Sequence, residues 1–424
     1  MKIIETGIPE ATDYFGVLWT MAGIDDAVIV EHGAPGTITY TQIGFNSLNR
    51  RSMYQKIFTS AVNENDIVMG SDSRLAEAVK WVDKTYHPPV IAVVATAITA
   101  VIGLDIDGFV DSIQPEISAK LIPFPSGGFN GTYFTGIEES CKKLIQRYLT
   151  DSIYDPEERT VNILGPTCEQ FNTISDVAEL KRLLSLMDIT VKTCFPDGSD
   201  VSAIKQIPRA EVNLLTRDVM IPVGSLITEI NGQPSLYGLP MGISGTVSWL
   251  KDISKALNVS FPVSVISDEI NRWGFSLSQL FSKIQPYKHL SLVIACPYEY
   301  AYGLSHLAIK DWGLMVQAVI LPDIPNTTGY EEALKTVGVG KVLIAPSDEE
   351  FLDLINLSKP QVMFANTYYL KIGRNIPVKI HASHPTPDII SLYDGTPYVG
   401  FKGYAYLTQR LVNEIQAHPE VFRI

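Results

Sequence analysis

The feature that most constrains the fold is a run of six consecutive apolar residues, Val90–Ala95, with the sequence VIAVVA. A run without a polar face is typical of a strand that is buried on both faces of a parallel sheet. A polar turn that begins with Thr96 and Ala97 follows at once. In open α/β sheets, ligands bind in the crevice outside the carboxyl ends of the strands. The pattern predicts an α/β fold and directs the search for function to the strand ends.

Alternating strand and helix patterns recur three times along the 424 residues. A chain of this length needs more than one hydrophobic core. A polar stretch at 154–159 that contains Pro156 marks one boundary, and a helical stretch at 270–284 precedes the next alternation. We predict three doubly wound, Rossmann-like αβα domains with mainly parallel sheets, at residues 1–155, 156–286 and 287–424.

The composition is that of an ordered globular protein, with 46% hydrophobic and 19% charged residues. The formal net charge is −13 and no basic cluster is present, which argues against a nucleic-acid or anionic-membrane surface. No apolar run reaches the roughly 18 residues of a membrane span, and the first residues lack the apolar stretch of a secretory signal. We therefore expect a cytoplasmic protein with no nucleic-acid partner and no membrane partner.

Two more glycine-rich loops follow predicted strands in the first domain. The strand at 28–31 leads into HGAPGT, residues 32–37, and the strand at 121–124 leads into PSGGFNG, residues 125–131. Glycine lets another group approach the backbone closely. Three strand ends thus deliver Thr37, Ala97 and Ser126 to loops that can converge on one crevice. Between these loops, we interpret residues 66–69 (DIVM) as a short strand.

Several catalytic and phosphate-binding motifs do not occur in the sequence. It contains no G-x-x-x-x-G-K-[ST], no G-x-G-x-x-G after a strand, no G-x-S-x-G and no H-E-x-x-H. We therefore do not expect the chain to hydrolyse ATP itself or to be an ordinary Rossmann dehydrogenase. The loop at 241–246 leads into a helix whose N-terminus could hold an anion or a polar ligand.

Taken together, the three loops resemble those of component 1 of nitrogenase and its relatives. These include the dark-operative protochlorophyllide reductase subunits and the cofactor-assembly scaffold proteins. Residues 32–37 resemble the family's H-G-x-x-G-C, residues 96–103 its T-C-x-x-E-x-I-G, and residues 125–131 its third cluster loop. Similar stretches at 179–184, 364–378 and 398–403 extend the resemblance over nearly the whole chain.

The chain departs from this family at the cluster ligands. In the family, the first two motifs carry cysteine thiolates, and thiolates hold iron–sulfur clusters. Neither alanine nor an un-ionised hydroxyl replaces a soft thiolate. We expect no bridging cluster from this chain's own residues, although a cluster held at the level of a complex stays open. The cluster-loop equivalents are His32, Gly33, Gly36, Thr37, Thr96, Ala97 and Ser126.

The four cysteines lie far apart and form no C-x-x-C or zinc-ligand spacing. Cys168, in GPTCEQFN, follows a predicted strand and is therefore the candidate metal ligand. Cys141, Cys194 and Cys296 are interpreted as core thiols.

In the family, strand ends of the second and third domains face an inter-domain cavity, and four residues here become ligand-binding candidates: Glu169, Arg217, His381 and His384. Arg217 lies in the region that matches the cofactor cysteine of the family, and arginine suits a carboxylate or phosphate better than a metal sulfide. The two histidines are candidates for binding a metal, a tetrapyrrole or an acidic substrate, with a hydrogen-bonded structural role as the alternative. Tyr298 and Tyr302 are either cavity aromatics or packing residues.

The resemblance implies an oxidoreductase subunit of an ATP-dependent reductase complex, with a substrate or cofactor bound in the inter-domain cavity. The implied partners are a second copy or a paralogous component 1 subunit, and an ATPase similar to the nitrogenase iron protein. The alternative is a non-catalytic scaffold or carrier that holds a metal cofactor or small ligand between domains. The catalytic residues, the substrate and the cofactor stay open.

Overall fold

The computed structural model describes residues 11–46, 56–70, 72–284, 290–322 and 329–384, and then every residue to 419 except 385, 387, 388, 390 and 392. Three sheets follow one another along the chain, and every strand pairing within them is parallel. The predicted α/β class with mainly parallel sheets is confirmed.

The first sheet has the strand order β2-β1-β3-β4, and the second has the order β6-β5-β7-β8. Their strands are β1 (Ala27–His32), β2 (Ile57–Thr59), β3 (Val90–Ala95), β4 (Lys120–Phe124), β5 (Glu157–Leu164), β6 (Thr190–Phe195), β7 (Ala210–Leu215) and β8 (Ser235–Tyr237). The third sheet has the order β11-β10-β9-β12-β13. Its strands are β9 (Ser291–Ala295), β10 (Met315–Leu321), β11 (Lys341–Ile344), β12 (Val362–Ala365) and β13 (Val378–His381).

Helices connect the strands, as crossovers between parallel strands require. They are α1 (Asp13–Gly23), α2 (Pro35–Asn46), α3 (Glu64–Met69), α4 (Asp72–Tyr86), α5 (Ala97–Ile102), α6 (Ile106–Ile113), α7 (Tyr133–Leu149), α8 (Thr173–Ser185), α9 (Val201–Lys205), α10 (Ile221–Asn231), α11 (Gly242–Ala256), α12 (Val263–Ile284), α13 (Tyr298–His306), α14 (Tyr330–Val337), α15 (Asp348–Ser358), α16 (Thr367–Ile372) and α17 (Gly400–Ala417). None of the described helices combines the length and apolar character that a membrane span needs.

The central strands of the sheets are apolar because helices cover both of their faces. All six residues of β3 are buried, as its sequence predicts. The C-terminal helix α17 packs against α8, which connects β5 to β6, and against α11 and α12, which follow the second sheet. The division of the chain at 155/156 and 286/287 stays a prediction.

The interpretation of residues 66–69 as a strand is wrong, because they lie in helix α3. The Asn63 side chain accepts hydrogen bonds from the backbone N–H groups of Asn65 and Asp66, and the Asp66 carboxylate accepts one from the Asn63 N–H. This reciprocal capping starts a helix at a sequence whose apolar residues alone favour a strand. The edge strand that pairs with β1 in the first sheet is β2.

Helices α1 and α7 pack closely against each other in the first domain. A Cβ atom at Gly16 would lie 2.0 Å from the backbone oxygen of Tyr133, and one at Gly136 would lie 1.9 Å from that of Asp13. Both sites therefore require glycine for packing. The crossing matters for function because α1 and α7 flank the cluster-loop equivalents and also reach the second domain.

The substitution Gly136→Ala is expected to lower the free energy of unfolding by about 3 kcal/mol, because the new methyl group must push two helix backbones apart. Urea denaturation followed by circular dichroism measures this loss. Gly36→Ala is the matched control, since a Cβ atom at this exposed helical site meets no atom within 4 Å. Its effect should stay within about 1 kcal/mol. Equal effects of the two substitutions would contradict the packing argument.

Candidate functional site

A buried ionic network lies where the carboxyl ends of strands from the second and third sheets meet. Arg217 is 1% exposed, and its Nη1 donates a 2.7 Å hydrogen bond to Glu169 Oε1. The same nitrogen donates to Thr167 Oγ1, and the Thr167 hydroxyl in turn donates to Glu169 at 2.9 Å. Arg217 Nε lies 3.5 Å from Glu299 Oε1. A buried guanidinium is thus paired with carboxyl groups from two domains, as burial of a charge demands.

His384 completes this network from the third domain. Its Nε2 lies 2.8 Å from Arg217 Nη2, and since guanidinium only donates, the imidazole accepts through Nε2 and must be neutral. Burial and the charge of Arg217 lower the pKa of His384 well below its usual value. The ring lies edge-on to Tyr300 and Tyr133. His384 therefore acts in this arrangement as a hydrogen-bond acceptor for Arg217.

The strand order explains why these side chains meet. Glu169 follows β5 and Arg217 follows β7, and these two strands are neighbours in the second sheet. Glu299 lies in the first turn of α13, directly after β9, and His384 follows β13. Residues that are far apart in the sequence therefore reach one place because each follows the carboxyl end of a strand.

Three of the four ligand-binding candidates, Glu169, Arg217 and His384, are brought together in this network. His381 is not part of it. It stays on β13, where its register partner is Ala365 and its carbonyl accepts a hydrogen bond from the Tyr398 hydroxyl. The role of each of these residues in binding stays a prediction.

Cys168, the candidate metal ligand, lies in the same loop as Glu169 but faces the first domain. Its thiol is buried and donates a 3.2 Å hydrogen bond to the backbone oxygen of Trp19 in α1. Among the described residues, no group of three or more histidine, cysteine or acidic side chains is arranged to hold a metal ion.

The three loops of the first domain converge at the carboxyl ends of the strands of their sheet. The Thr96 and Thr99 hydroxyls both donate to the His32 backbone oxygen, at 2.9 and 2.7 Å. Gly33 lies so close to Thr96 that a Cβ atom would come within 2.4 Å of its methyl carbon. The His32 ring is buried, with Nδ1 2.8 Å from Ser60 Oγ. Polar side chains thus fasten the loop after β1 to the loop after β3.

The positions that match the family's cluster cysteines differ in exposure. Thr37 is half-buried in the first turn of α2, and Ala97 is exposed at the start of α5. Ser126 donates its hydroxyl hydrogen to the buried carboxylate of Asp13, which also accepts from the Asn130 N–H at 3.1 Å. Gly36 is exposed in the first turn of α2. The Ser126 hydroxyl is therefore used to close the loop.

Sequence reasoning missed Thr167, Asp218 and Glu299. All three follow the carboxyl end of a strand, which is the criterion that Arg217 also meets. Thr167 lies in the loop of Glu169, Asp218 lies in the loop of Arg217, and Glu299 follows the apolar strand β9. The anion expected at the N-terminus of α11 comes from within the chain. The carboxylate of Asp311 accepts a 2.8 Å hydrogen bond from the Ile243 N–H and a 2.7 Å bond from the Ser244 hydroxyl.

The sequence matches a known protein family. The family model described as nitrogenase component 1 type oxidoreductase matches residues 12–416. The chain belongs to this family. The resemblance inferred from the three loops is thereby confirmed.

Two kinds of curated relative are similar to this member of the family. A light-independent protochlorophyllide reductase subunit of Chlorokybus atmophyticus is 22% identical over 417 residues, covering 94% of this chain and 81% of that protein. The nitrogenase iron-molybdenum cofactor biosynthesis protein NifE of Methanosarcina barkeri is 26% identical over 375 residues, covering 83% of this chain and 78% of that protein.

Solved nitrogenase structures share the fold. The chain of nitrogenase Cp1 at pH 6.5 superposes with a TM-score of 0.81 at 21% identity, covering 99% of this chain and 95% of that chain. The structure of the same protein at pH 5 gives a TM-score of 0.77 at 20% identity, covering 100% and 91%. At such identities the likeness describes the fold alone.

Because His32 is buried, we predict that the free energy of unfolding of the protein falls in acid. Burial lowers the pKa of His32 to about 4, against about 6.5 in an unfolded chain. Between these values the unfolded chain binds a proton that the folded chain does not, so stability is lost as the pH falls through this window. At pH 4.5 the loss from this group is about 2–3 kcal/mol.

His32→Asn, which keeps a polar side chain near Ser60, should reduce the drop in unfolding free energy between pH 7 and pH 4.5 by about 2 kcal/mol. Urea titrations at the two pH values measure this drop. His87→Asn is the control, because His87 is exposed at the end of α4, and it should leave the drop as in the wild type. An unchanged drop in His32→Asn would refute the assignment.

Proposed function

We propose that this member of the nitrogenase component 1 family is a subunit of an ATP-dependent reductase complex, with a substrate or cofactor bound between its second and third domains. The observation that carries the proposal is the meeting of Arg217, Glu169, Glu299 and His384 at the inter-domain strand ends, in a chain whose family match spans 12–416. Crevices of this kind are where open α/β sheets bind ligands.

We propose that this chain supplies no thiolate to a bridging iron–sulfur cluster. The donor set does not fit such a cluster, because Ala97 has no donor atom and the hydroxyls of Thr37 and Ser126 are not soft ligands. The Ser126 hydroxyl is also engaged by Asp13. The Cys168 thiol points to the carbonyl of Trp19. Any cluster in the complex would therefore take its ligands from another subunit, and no step of our proposal runs through one.

The proposed partner of the first domain is a second component 1 type chain, identical or paralogous. It would bind at the carboxyl ends of the strands of the first sheet, where the loops converge. Segments after each of the four strands of this sheet expose large apolar side chains, which in a monomer would be unusual on one edge. They include Tyr40 (77% exposed), Met69 (84%), Val101 (74%) and Phe129 (67%). The other proposed partner, by family, is an ATPase similar to the nitrogenase iron protein.

The second candidate function is a non-catalytic scaffold or carrier that holds a metal cofactor or small ligand between the domains. The similarity to a cofactor biosynthesis protein favours it. The two functions differ in one observable property, because a reductase subunit supports ATP-dependent reduction within its complex and a carrier does not.

Anaerobic purification tests the proposal, first for the chain alone and then with its component 1 type and iron-protein-like partners co-expressed. Iron and acid-labile sulfide per chain should be far below stoichiometric for the chain alone, while the complex should assemble. A stoichiometric cluster on the chain alone would contradict our interpretation of Thr37, Ala97 and Ser126. If neither partner associates, the reductase proposal is wrong and the carrier remains.

The variant Val101→Glu locates the contact, because a carboxylate in an apolar interface is costly to desolvate. We expect it to abolish assembly with the component 1 type partner in sedimentation velocity. Leu357→Glu is the matched control, since Leu357 is 86% exposed but lies on α15 in the third domain. Loss of assembly in both variants, or in neither, would contradict the proposed surface.

A further inference from the structure

Four tyrosines cluster where the second and third domains meet, near Asp218 and Glu299. Tyr237 ends β8, Tyr298 and Tyr302 lie one turn apart on α13, and Tyr330 begins α14. The rings of Tyr298 and Tyr330 stack with centroids 3.7 Å apart and planes 7° apart, and Tyr302 lies 5.8 Å from Tyr298. Tyr302 is 38% exposed, so the cluster reaches the surface.

Two carboxyl groups lie within this aromatic cluster. The Tyr237 hydroxyl donates a 3.4 Å hydrogen bond to Asp218 Oδ1. Glu299 is only 3% exposed, and its carboxyl group lies within hydrogen-bond reach of the Asp218 carboxyl, with no other side-chain hydrogen bond among the described residues. Its burial and the neighbouring charge of Asp218 raise the pKa of Glu299 well above the usual value. Its ion pair with Arg217 Nε, at 3.5 Å, leaves much of its hydrogen-bonding capacity unused, at considerable cost.

The charges of the cluster are not balanced within the chain. Arg217 contributes one positive charge, which Glu169 at 2.7 Å and Glu299 at 3.5 Å share. Asp218 and Glu299 then remain as two acidic groups on the tyrosine side, with Arg217 Nε 3.5 Å from Glu299 as the nearest cation. The site therefore favours a cation from outside and repels an anion.

The kind of cation follows from the donor set. Two carboxyl groups with phenol rings provide too few hard ligands for a metal cage, and the described residues contain no metal-ligating group of three. Aromatic faces around a carboxylate are, by contrast, the usual surroundings of a bound ammonium group. We propose that Asp218, Glu299 and the four tyrosines form a binding site for an organic ammonium ion, with the two carboxylates as hydrogen-bond acceptors.

This site adjoins the crevice of the proposed function and shares Glu299 with it, but it does not depend on the reductase complex. Its residues belong to this chain alone, so binding requires no partner subunit, cluster or ATP. Failure of the complex to assemble would leave the site untouched, and failure of ammonium binding would leave the subunit assignment untouched.

Isothermal titration of the purified chain with propylammonium chloride tests the proposal, with 1-propanol as the uncharged probe of similar size. Propylammonium should bind with saturation and propanol should not. Asp218→Asn should weaken binding at least about tenfold, because a charge-assisted hydrogen bond is lost. Glu331→Gln is the matched control, since Glu331 is exposed one residue after Tyr330 and pairs with Lys335. Equal binding of both probes, or equal loss in both variants, would overturn the proposal.

Tyr302→Leu provides a variant that does not disturb the core, because Tyr302 is partly exposed. The loss of one aromatic face should weaken propylammonium binding about threefold. Thermal unfolding of each variant separates loss of the site from loss of the fold. An unchanged affinity in a folded Tyr302→Leu protein would contradict the aromatic part of the site.

The pH dependence of binding is a separate readout. Bound ammonium favours ionised Glu299, whose pKa lies well above its usual value, so affinity should rise as the pH is raised, and Glu299→Gln should flatten this rise. The charged and titratable groups that face Glu299 are Asp218, Arg217, Tyr237, Tyr300, Tyr330 and Cys296. An affinity that does not change with pH in the wild type would contradict the role given to Glu299.

Discussion

The ion pair between Arg217 and Glu169 is the interaction on which the arrangement between the domains depends. Both side chains are at most 1% exposed, so either charge without the other would be strongly destabilising. Glu299 and His384 join the pair from the third domain and fix how its strand ends face those of the second. The inter-domain space near Arg217 is therefore structured by charge pairing between the chain's own residues.

The first domain shows the same principle with different groups. Its three loops keep the close approach that small residues permit, as at Gly33, and the hydroxyls of Thr96 and Thr99 hold the backbone of His32. Ser126 is fastened by Asp13. These contacts are made by hydroxyls and carboxylates that form hydrogen bonds within the protein. The loops can therefore keep their geometry without soft metal ligands, which is the physical basis of our proposal for the subunit.

Much of the fold could be predicted from the sequence because the buried parallel strands have unmistakable apolar runs, as in β3. Arg217, Glu169 and His384 were candidates because each follows a predicted strand in a region that resembles the family, and the structure brings the three together. The pairing itself could not be predicted, because it depends on which strands are neighbours and on which side of each loop a side chain points. His381 and His384 are three residues apart, yet only His384 reaches Arg217. The helix at 66–69 was missed because its apolar residues mask the capping by Asn63.

For the same reason, the acidic and aromatic cluster beside Arg217 could not be predicted from the sequence. Tyr298 and Tyr302 drew notice in the sequence, but packing and ligand binding could not be distinguished there. Only the structure places them beside Asp218 and Glu299, and only the structure shows that the buried Glu299 carboxyl group lies against that of Asp218. The charge balance of a site depends on which residues are in contact, and the sequence does not show which residues of two domains contact each other.

The central claim is that paired charges hold the inter-domain strand ends together, and the free energy of unfolding of Arg217→Met tests it most directly. Urea denaturation should show a loss of at least about 3 kcal/mol, and adding Glu169→Gln to this variant should restore more than half of it, since the unpaired carboxylate is removed. Arg209→Met is the reference, because Arg209 forms only exposed ion pairs with Asp155 and Glu157, which contribute about 1 kcal/mol at most. If Arg217→Met costs no more than Arg209→Met, the claim is wrong.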